Sequence, residues 1–318
     1  AYALFQSSPK SSWLVNYPDK FHGHSVSLGD SMVLSNEEQK DVFVNVVKDS
    51  LAILKSAADC EIVDAVEQFF WGQMHGLAIE LGALDGTPAT QSQTYELEKR
   101  LGWKRILVEG NPRYRNALLT ECPKAFSVNA AICANNGSVH YIENKSRKYV
   151  SGIVEFMDET FLKRFHPQVY DARVQHEGWS SVQWSAFPEV QEVACLPMHT
   201  VLHRANARHV NFFILDVEGA EMEILKTIHW SVVKFDVLCI ETNPAQRPPG
   251  YVAAVTAFMK ERGYRDFAGQ VARNTWFVRE DFVPSVRPGV TSKYFNGACR
   301  EAKSAGECMH GYELVSNK

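Results

Sequence analysis

The stretch GLAIELGALDG, residues 76–86, decides the fold class of this chain. An apolar run of the kind found in strands buried on both faces ends at Glu80, and two glycines with Asp85 between them follow at once. A glycine just after a strand lets the backbone turn without a Cβ and lets a ligand approach closely. Ligands of open parallel sheets bind beyond the carboxyl ends of the strands. The stretch therefore predicts either a tight turn or a cofactor-binding loop.

Strand and helix patterns alternate from about residue 75 onward. The segments RILVEG, AFSVNAAI, EVACLP, NFFILDVEG and FDVLCIETN are typical of buried strands, and helical patterns such as YELEKRLGW, closed by Gly102, separate them. This alternation predicts an α/β fold with a mostly parallel sheet covered on both faces. The last two segments, YRDFAG and NTWFVRE, have only a short connection between them and predict an antiparallel edge.

The chain divides into three predicted parts. Residues 1–68 form an N-terminal arm followed by a helical extension, in which Ser35 and Glu38 make a capping box. Residues 69–285 form the α/β domain, and residues 286–318 form a C-terminal tail.

Acidic residues follow two more predicted strands. Glu109 ends the second strand, one strand–helix–strand unit after Glu80, where an acid can accept hydrogen bonds from both hydroxyls of a ribose. A solvated strand-end carboxylate is the alternative. Asp216, Glu218 and Glu221 follow the apolar run FFIL, and acids there are costly to desolvate unless they have partners. Glu221 suits a helix N-terminus, whereas Asp216 and Glu218 are candidates for a functional role.

Composition excludes two classes of protein. The 318 residues carry a net charge of −4 and no block of Lys and Arg, so we expect no nucleic-acid partner. The apolar runs are too short to cross a bilayer, so we expect no transmembrane segment in this sequence. The oligomeric state leaves no trace in the sequence.

The motif blocks resemble a known family when they are taken together. GLAIELGALDG, SQTYELEKRLGWKRILVEGNP, AFSVNAAIC and NFFILDVEGAEMEIL, in this order, closely resemble the FkbM-type methyltransferases, with the eukaryotic-type branch nearest. The resemblance covers roughly residues 69–245. It implies a Rossmann-like class I fold with a mostly parallel seven-stranded sheet and an antiparallel edge strand, S-adenosylmethionine as methyl donor, and O-methylation of a sugar or glycan hydroxyl.

Two other functions remain open under this resemblance. The acceptor is alternatively a small-molecule or lipid hydroxyl, or the chain is a catalytically silent interaction module of the same fold. The silent module is disfavoured because the positions that such a module should lose are intact, namely Gly82, Gly86, Glu109 and Asp216.

The resemblance also assigns the cofactor site residue by residue. It implies that the methionine end of the donor is bound by the first strand end and the loop after it, the ribose by Glu109, and the adenine by the third strand end. The loop GTPATQS is about two residues longer than is usual in the family. The residues assigned to the donor are Glu80, Gly82, Asp85, Gly86, Ser92, Glu109, Asn129, Ala130 and Asp216.

The acceptor hydroxyl needs a group that takes its proton. Asp216 and Glu218 are the candidate catalytic residues, with Asp216 as a general base. A metal ion is the other means of activating a hydroxyl. Asp216, Glu241 and Asn243 would offer three oxygen ligands suited to magnesium or calcium, unless Glu241 and Asn243 only cap the next helix.

The segment 144–190 is too long for an ordinary connection and too rich in aromatic residues for a disordered linker. We interpret it as a lid over the acceptor, with Tyr170, Trp179 and Trp184 as candidate sugar-facing residues. A rigid insertion packed away from the cofactor is the alternative.

Cysteines and sequons bear on the compartment. Cys299 with Cys308, and Cys122 with Cys133, are the candidate disulfide pairs among seven cysteines. The sequence also contains the glycosylation sequons Asn136-Gly-Ser and Asn144-Lys-Ser. These features favour the secretory pathway or Golgi lumen, with the cytoplasm as the alternative.

Overall fold

The alternating pattern of strands and helices is present in the computed structural model, which describes residues 14–16, 45, 61–90, 92–144, 150–243, 247–271 and 273–285. The strands are β1 (Leu14–Asn16), β2 (Leu77–Leu81), β3 (Lys104–Glu109), β4 (Phe126–Asn129), β5 (Ala131–Ile132), β6 (Gly137–Ile142), β7 (Gly152–Ile153), β8 (Val190–Leu196), β9 (His209–Leu215), β10 (Lys234–Glu241), β11 (Tyr264–Val271) and β12 (Asn274–Arg279). The α-helices are α1 (Glu61–Gln68), α2 (Tyr95–Leu101), α3 (Arg115–Glu121), α4 (Glu159–Phe165), α5 (Pro167–Gln175), α6 (Met198–Arg204), α7 (Glu221–Lys226) and α8 (Tyr251–Lys260).

The main sheet has the strand order β1-β4-β3-β2-β9-β10-β12-β11. Strands β4, β3, β2, β9 and β10 pair in parallel, with Glu80 of β2 beside Leu107 of β3 and Ile214 of β9. Every residue of β2 is buried, as is expected for a central strand covered on both faces. The carboxyl ends of these strands therefore lie along one edge of the sheet.

The sheet is mixed, and the prediction of a mostly parallel seven-stranded sheet is wrong on this point. Four of its strand pairs are parallel and three are antiparallel. The short connection between β11 and β12 forces these two strands to be antiparallel, and β12 also runs antiparallel to β10. An eighth strand, β1, arises within the arm that we expected to be irregular, and it pairs antiparallel with β4.

A second sheet, of order β5-β8-β6-β7, lies beside the main one. The segment AFSVNAAI, which we expected to be one strand, divides at Ala130 into β4 of the main sheet and β5 of the second sheet. The predicted main-sheet segment EVACLP likewise belongs to β8 of the second sheet. Both segments are mostly apolar, and their local pattern does not indicate which sheet they join.

Helices cover both faces of the main sheet. On one face α1 packs against the strands in an aromatic cluster that includes Phe70, Trp103, Phe212 and Trp276. On the other face α6, α7 and α8 contribute Leu202, Leu225 and Met259 to the larger core. Because α1 shares a core with the sheet, its last residues pack as part of the α/β domain; the boundary at residue 68 stays a prediction.

A disulfide joins Cys133, next to β5, to Cys195 of β8, with a Cα–Cα distance of 5.8 Å. The predicted pairing of Cys122 with Cys133 is therefore wrong. Cys122 remains a buried thiol that donates to the carbonyl oxygen of Asp85, on the other side of the main sheet edge. The second predicted pair, Cys299 with Cys308, lies outside the described residues.

The helix predicted from Ser35 onward also lies outside the described residues, apart from Asn45, which is helical. None of the helices in the described ranges combines the length and the apolar character that crossing a bilayer requires.

Candidate functional site

A cavity of about 600 Å³ opens at the carboxyl ends of β2, β3 and β9, and the second sheet forms its far wall. Its volume lies within the range of small-molecule and cofactor sites. Strand ends contribute Glu80, Gly82, Glu109 and Asp216, and the loop after β9 adds Glu218. The second sheet and its flanks contribute Ala131, Ile132, Tyr141, Glu143, Ser151, Gly152 and Ile153.

Gly82 lies where the ends of β2, β3 and β9 meet. Its φ of +85° lies in the left-handed region, and a Cβ at this position would approach the carbonyl oxygen of Asp216 to 2.1 Å. Its amide also donates to the carbonyl oxygen of Val108, at the end of β3. Only glycine fits this position, because three strand ends converge on its backbone.

Glu80 organises the loop that follows. Its carboxylate accepts hydrogen bonds from the Ser92 hydroxyl at 2.8 Å, the Gln93 amide at 2.9 Å, and both the amide and the hydroxyl of Thr94. Glu80 therefore lines the cavity while fastening the start of α2 to the end of β2.

Asp85, Gly86 and Ser92 support this loop from outside the cavity lining. Asp85 accepts from the Thr87 amide at 2.8 Å and from the Thr90 hydroxyl. Gly86, with φ of +72°, would place a Cβ 2.7 Å from the Cys122 sulfur. The donor-binding role predicted for these three residues stays a prediction, and the contacts described here hold the loop in shape.

Glu109 is buried at the end of β3 and lines the cavity. One carboxylate oxygen accepts from the Leu84 amide at 2.9 Å, and the other accepts from the Asn111 amide at 2.6 Å. Burial raises the pKa of Glu109 to about 7, although these backbone hydrogen bonds oppose the shift. Each oxygen retains a further lone pair, so the carboxylate can accept two more hydrogen bonds from a ligand.

The two residues predicted to flank the adenine, Asn129 and Ala130, lie in different settings. Asn129 is buried at the end of β4, and its side-chain amide donates to the carbonyl oxygens of Glu109 at 2.8 Å and Asn111 at 2.9 Å. Asn129 thus holds the loop after β3, whereas Ala130 itself lines the cavity. Tyr141 of β6 lines the same wall, and our sequence analysis missed it because its strand belongs to a sheet that was not predicted.

Three acids gather beyond β9 and β10. Carboxylate oxygens of Asp216, Glu218 and Glu241 all lie within 4.8 Å of one another. Glu218 has a φ of 56°, a strained conformation for a residue with a side chain, and one of its oxygens is buried with no hydrogen-bond partner among the described residues. Burial and the neighbouring Asp216 raise the pKa of Glu218 to about 8.

Arg247, which our sequence analysis also missed, neutralises the acids behind this cluster. Its guanidinium donates to Glu241 at 2.6 Å and to Glu221 at 3.0 Å, and all three side chains are buried. Glu221 also accepts from the Tyr251 hydroxyl and from the amides of the loop before α7. Arg247 lies in the stretch QRPP, which has no periodic pattern, so the sequence contained no signal for its role.

Two of the three predicted metal ligands lie close together. Asp216 and Glu241 approach each other, and Glu218 is a third acid beside them. Asn243 lies two residues beyond the end of β10 and is not among the residues that line the cavity. Arg247 already engages one oxygen of Glu241, so the metal role of these residues stays a prediction.

The described part of the segment 144–190, residues 144 and 150–190, is folded, and its three candidate aromatic residues contact neighbouring protein side chains. Trp184 stacks between His140 and Trp179, and Tyr170 donates to Glu159 at 2.8 Å. None of the candidate residues Tyr170, Trp179 and Trp184 lines the cavity. The part of the segment that does reach the cavity is the strand β7 with Ser151 before it.

Comparison with known proteins agrees with this architecture. The sequence profile of the Methyltransferase FkbM domain matches residues 80–265, which is more than half of the chain and runs from the end of β2 into β11. A comparison with curated protein sequences gives no match. The strand-end acids Glu80, Glu109 and Asp216 all lie within the matched region. This chain belongs to the FkbM methyltransferase family.

Proposed function

We propose that the chain is an S-adenosylmethionine-dependent O-methyltransferase that acts on a sugar or glycan hydroxyl. The observation that carries the proposal is the buried carboxylate of Glu109, which faces the cavity with lone pairs available for two hydroxyl donors. A vicinal pair of hydroxyls, such as that of a ribose, matches this acceptor geometry.

The residues present fit this donor. Gly82 keeps the backbone beside Asp216 free of a side chain, and the cavity wall at Ala131, Ile132 and Tyr141 offers the apolar and aromatic surface that an adenine ring requires. Acidic residues outnumber basic ones in the lining, which suits a positively charged sulfonium. When bound, the donor supplies an electrophilic methyl group.

The remaining chemistry is to hold the acceptor and take its proton. Glu218 has a carboxylate oxygen without a hydrogen-bond partner in the described residues and a pKa near 8, which suits a general base at neutral pH. Asp216, beside it, is the second candidate base. Arg273 also lines the cavity and adds a positive charge close to these acids.

A metal-assisted reaction is the alternative arrangement of the same acids. Asp216, Glu218 and Glu241 provide hard oxygen ligands at distances that one divalent ion could bridge, with Asn243 as a further predicted ligand. Magnesium or calcium is the ion that such ligands prefer.

A small-molecule or lipid hydroxyl is the second candidate acceptor. It is favoured by the apolar residues beside the acids, where Ile214, Val217, Ala220 and Ile224 line the cavity. A catalytically silent module is disfavoured, because a cavity of this size and an unpartnered buried carboxylate oxygen would have no purpose there.

We propose the lumen of the secretory pathway as the location. The disulfide between Cys133 and Cys195 supports an oxidising compartment, because such bonds are rare in the cytosol.

The purified full chain should be incubated with methyl-labelled S-adenosylmethionine and separate panels of oligosaccharides, lipids and small alcohols. Label in an oligosaccharide fraction, located by mass spectrometry on a hydroxyl, is the expected result. Label confined to lipids or small alcohols would favour the second candidate acceptor, and donor binding without any transfer would favour the silent module. Repeating the successful reaction in excess chelator, then adding back magnesium or calcium, distinguishes a metal-assisted reaction from one that uses a protein base alone.

A further inference from the structure

In the sequon Asn136-Gly137-Ser138, Asn136 ends the turn after β5, and Gly137 and Ser138 are the first two residues of β6, where the Ser138 hydroxyl donates to Glu192. All five residues from 134 to 138 are exposed, and a Cβ built on Gly137 would meet no atom within 4 Å. Asn136, next to Gly137, is itself exposed. A large substituent on the Asn136 side chain would therefore extend into solvent without displacing any described part of the protein.

The disulfide provides an independent observation about the environment of this turn. Cys133 is three residues before Asn136 and is bonded to Cys195 of β8, and both cysteines are buried. Disulfides form in the compartments in which sequons are modified, and they are rare elsewhere. The disulfide and the exposed sequon therefore both fit a protein made in an oxidising compartment.

The second sequon has a different setting. Asn144 is half-buried, its backbone amide donates to the Ser151 hydroxyl at 2.9 Å, and Ser151 lines the cavity. The two asparagines lie at opposite ends of β6, and a strand of this length spans roughly 20 Å. Asn144 is therefore less exposed than Asn136 and its backbone contacts a residue that lines the cavity, whereas Asn136 lies at the other end of the strand.

We infer that Asn136 carries an N-linked glycan and that Asn144 does not. In the modification, the side-chain nitrogen of Asn136 bonds to the anomeric carbon of a lipid-diphosphate-linked oligosaccharide. The bond between that carbon and the diphosphate oxygen breaks, and the departing lipid diphosphate takes up the proton that the nitrogen loses. The inference does not depend on the methyltransferase reaction, and it concerns a part of the molecule outside the cavity.

The test uses the full chain isolated from the cells that naturally produce it. Peptides are released without reduction and then treated with a peptide N-glycosidase in heavy-oxygen water, which converts a glycosylated asparagine to a labelled aspartate. We expect labelled aspartate at position 136, unmodified Asn144, and the peptides of Cys133 and Cys195 linked by a disulfide. Recovery of unmodified Asn136, or label at position 144 alone, would overturn the inference.

Variants expressed in the same cells assign the modification to the sequon. Asn136→Gln and Ser138→Ala should each abolish the glycosidase-sensitive shift in electrophoretic mobility, and Ser138→Thr should keep it. Asn135→Gln changes the exposed neighbour outside the sequon and should leave the shift intact. Binding of S-adenosylmethionine, measured by calorimetry on the Asn136→Gln protein, should equal that of the wild type. If Asn136 carries no glycan and the protein still binds the donor, this inference is rejected and the proposed function stands.

Discussion

Under the proposed function Glu109 links donor binding to pH, because its carboxylate is the proposed ligand for the ribose of the donor and burial raises its pKa to about 7. An ionised carboxylate accepts hydrogen bonds from two hydroxyls, whereas a protonated one has lost part of this capacity. Burial raises the pKa of Glu109 to about 7, so the carboxyl is mostly protonated at pH 6 and mostly ionised at pH 8. Donor affinity should therefore rise by about tenfold between these two values.

Calorimetry with S-adenosylmethionine measures this effect. Glu109→Ala should weaken binding roughly tenfold to a hundredfold at pH 8, because it removes charge-assisted hydrogen bonds to the ligand. Glu109→Gln should bind weakly with no change between pH 6 and 8. Glu121→Gln, at the exposed end of α3, serves as the matched control and should behave as the wild type. Equal affinity of wild type and Glu109→Ala would remove Glu109 from the donor site.

Glu218 is the residue that we expect to matter for transfer rather than for binding. Glu218→Gln keeps the size of the side chain and removes its ability to accept a proton, so the rate of transfer should fall by about 10²–10⁴. Donor affinity should stay within about threefold of the wild-type value, since the predicted donor contacts are made elsewhere.

Glu223→Gln is the control for this change, because Glu223 is an exposed acid on the same helix-entry segment and pairs with Lys226. Both single-turnover rates and equilibrium binding need to be measured. A Glu218→Gln protein with a normal rate of transfer would assign the proton to Asp216 or to a metal-bound acceptor.

Among the elements, α7 and the end of β10 depend on the buried cation Arg247. Removing Arg247 leaves Glu221 and Glu241 buried without their partner, and breaking a buried ion pair in this way typically costs about 3–5 kcal/mol. Arg247→Met should lower the free energy of unfolding by that amount in urea denaturation. Lys226→Met disrupts the exposed pair with Glu223 and should change it by less than about 1 kcal/mol. Equal stability of the two variants would show that the buried acids are protonated in the folded protein.

A structural role and an acceptor-binding role of Trp184 predict opposite effects of its substitution on stability and on the acceptor KM. Trp184 packs between His140 and Trp179 away from the cavity lining, so Trp184→Ala should lower the free energy of unfolding by about 1–3 kcal/mol. The KM for the acceptor should not change. A raised acceptor KM with unchanged thermal stability would instead support the predicted lid with its sugar-facing residues. Trp71→Ala, in the aromatic core on the opposite face, controls for the general loss of a tryptophan.

Elements with a strong local signal could be predicted from the sequence alone. The end of α2 follows from Gly102, which adopts the left-handed conformation that closes a helix, and its amide donates back to Leu97. The acids at Glu80, Glu109 and Asp216 could be recognised because each follows an apolar run. Their meeting at one cavity follows from the shared direction of parallel strands.

Other features depend on contacts between distant parts of the chain and carry no local signal. The division at Ala130 places two halves of one apolar segment in different sheets, and the partner strand β8 decides this. The pairing of Cys133 with Cys195 follows from the same partner strand. Arg247 reaches the site from a segment whose sequence shows neither an apolar period nor a motif, and Tyr141 reaches it from β6, a strand of the second sheet.

At the scale of the whole molecule, the cavity lies where the chain passes from the main sheet into the second sheet. Ala130 is the crossing point of the chain, and the lining on one side comes from β2, β3 and β9 while the other side comes from β5, β6 and β7. We expect a ligand held there to contact both sheets, so that either sheet opens only after the ligand is released. Donor binding should therefore make the local unfolding of the two sheets cooperative.

Amide hydrogen exchange reports this cooperativity directly. At a donor concentration of about a hundred times its Kd, binding adds roughly 2.7 kcal/mol to any opening that releases the ligand, which corresponds to about a hundredfold slower exchange. We expect the same slowing in β8 as in β2 and β3. Strand β8 lies between β5 and β6 and pairs with no strand of the main sheet. Amides of α5, at the far side of the insertion, provide the internal reference and should exchange at the same rate with and without the donor. Protection confined to β2 and β3 would mean that the second sheet opens while the ligand stays bound.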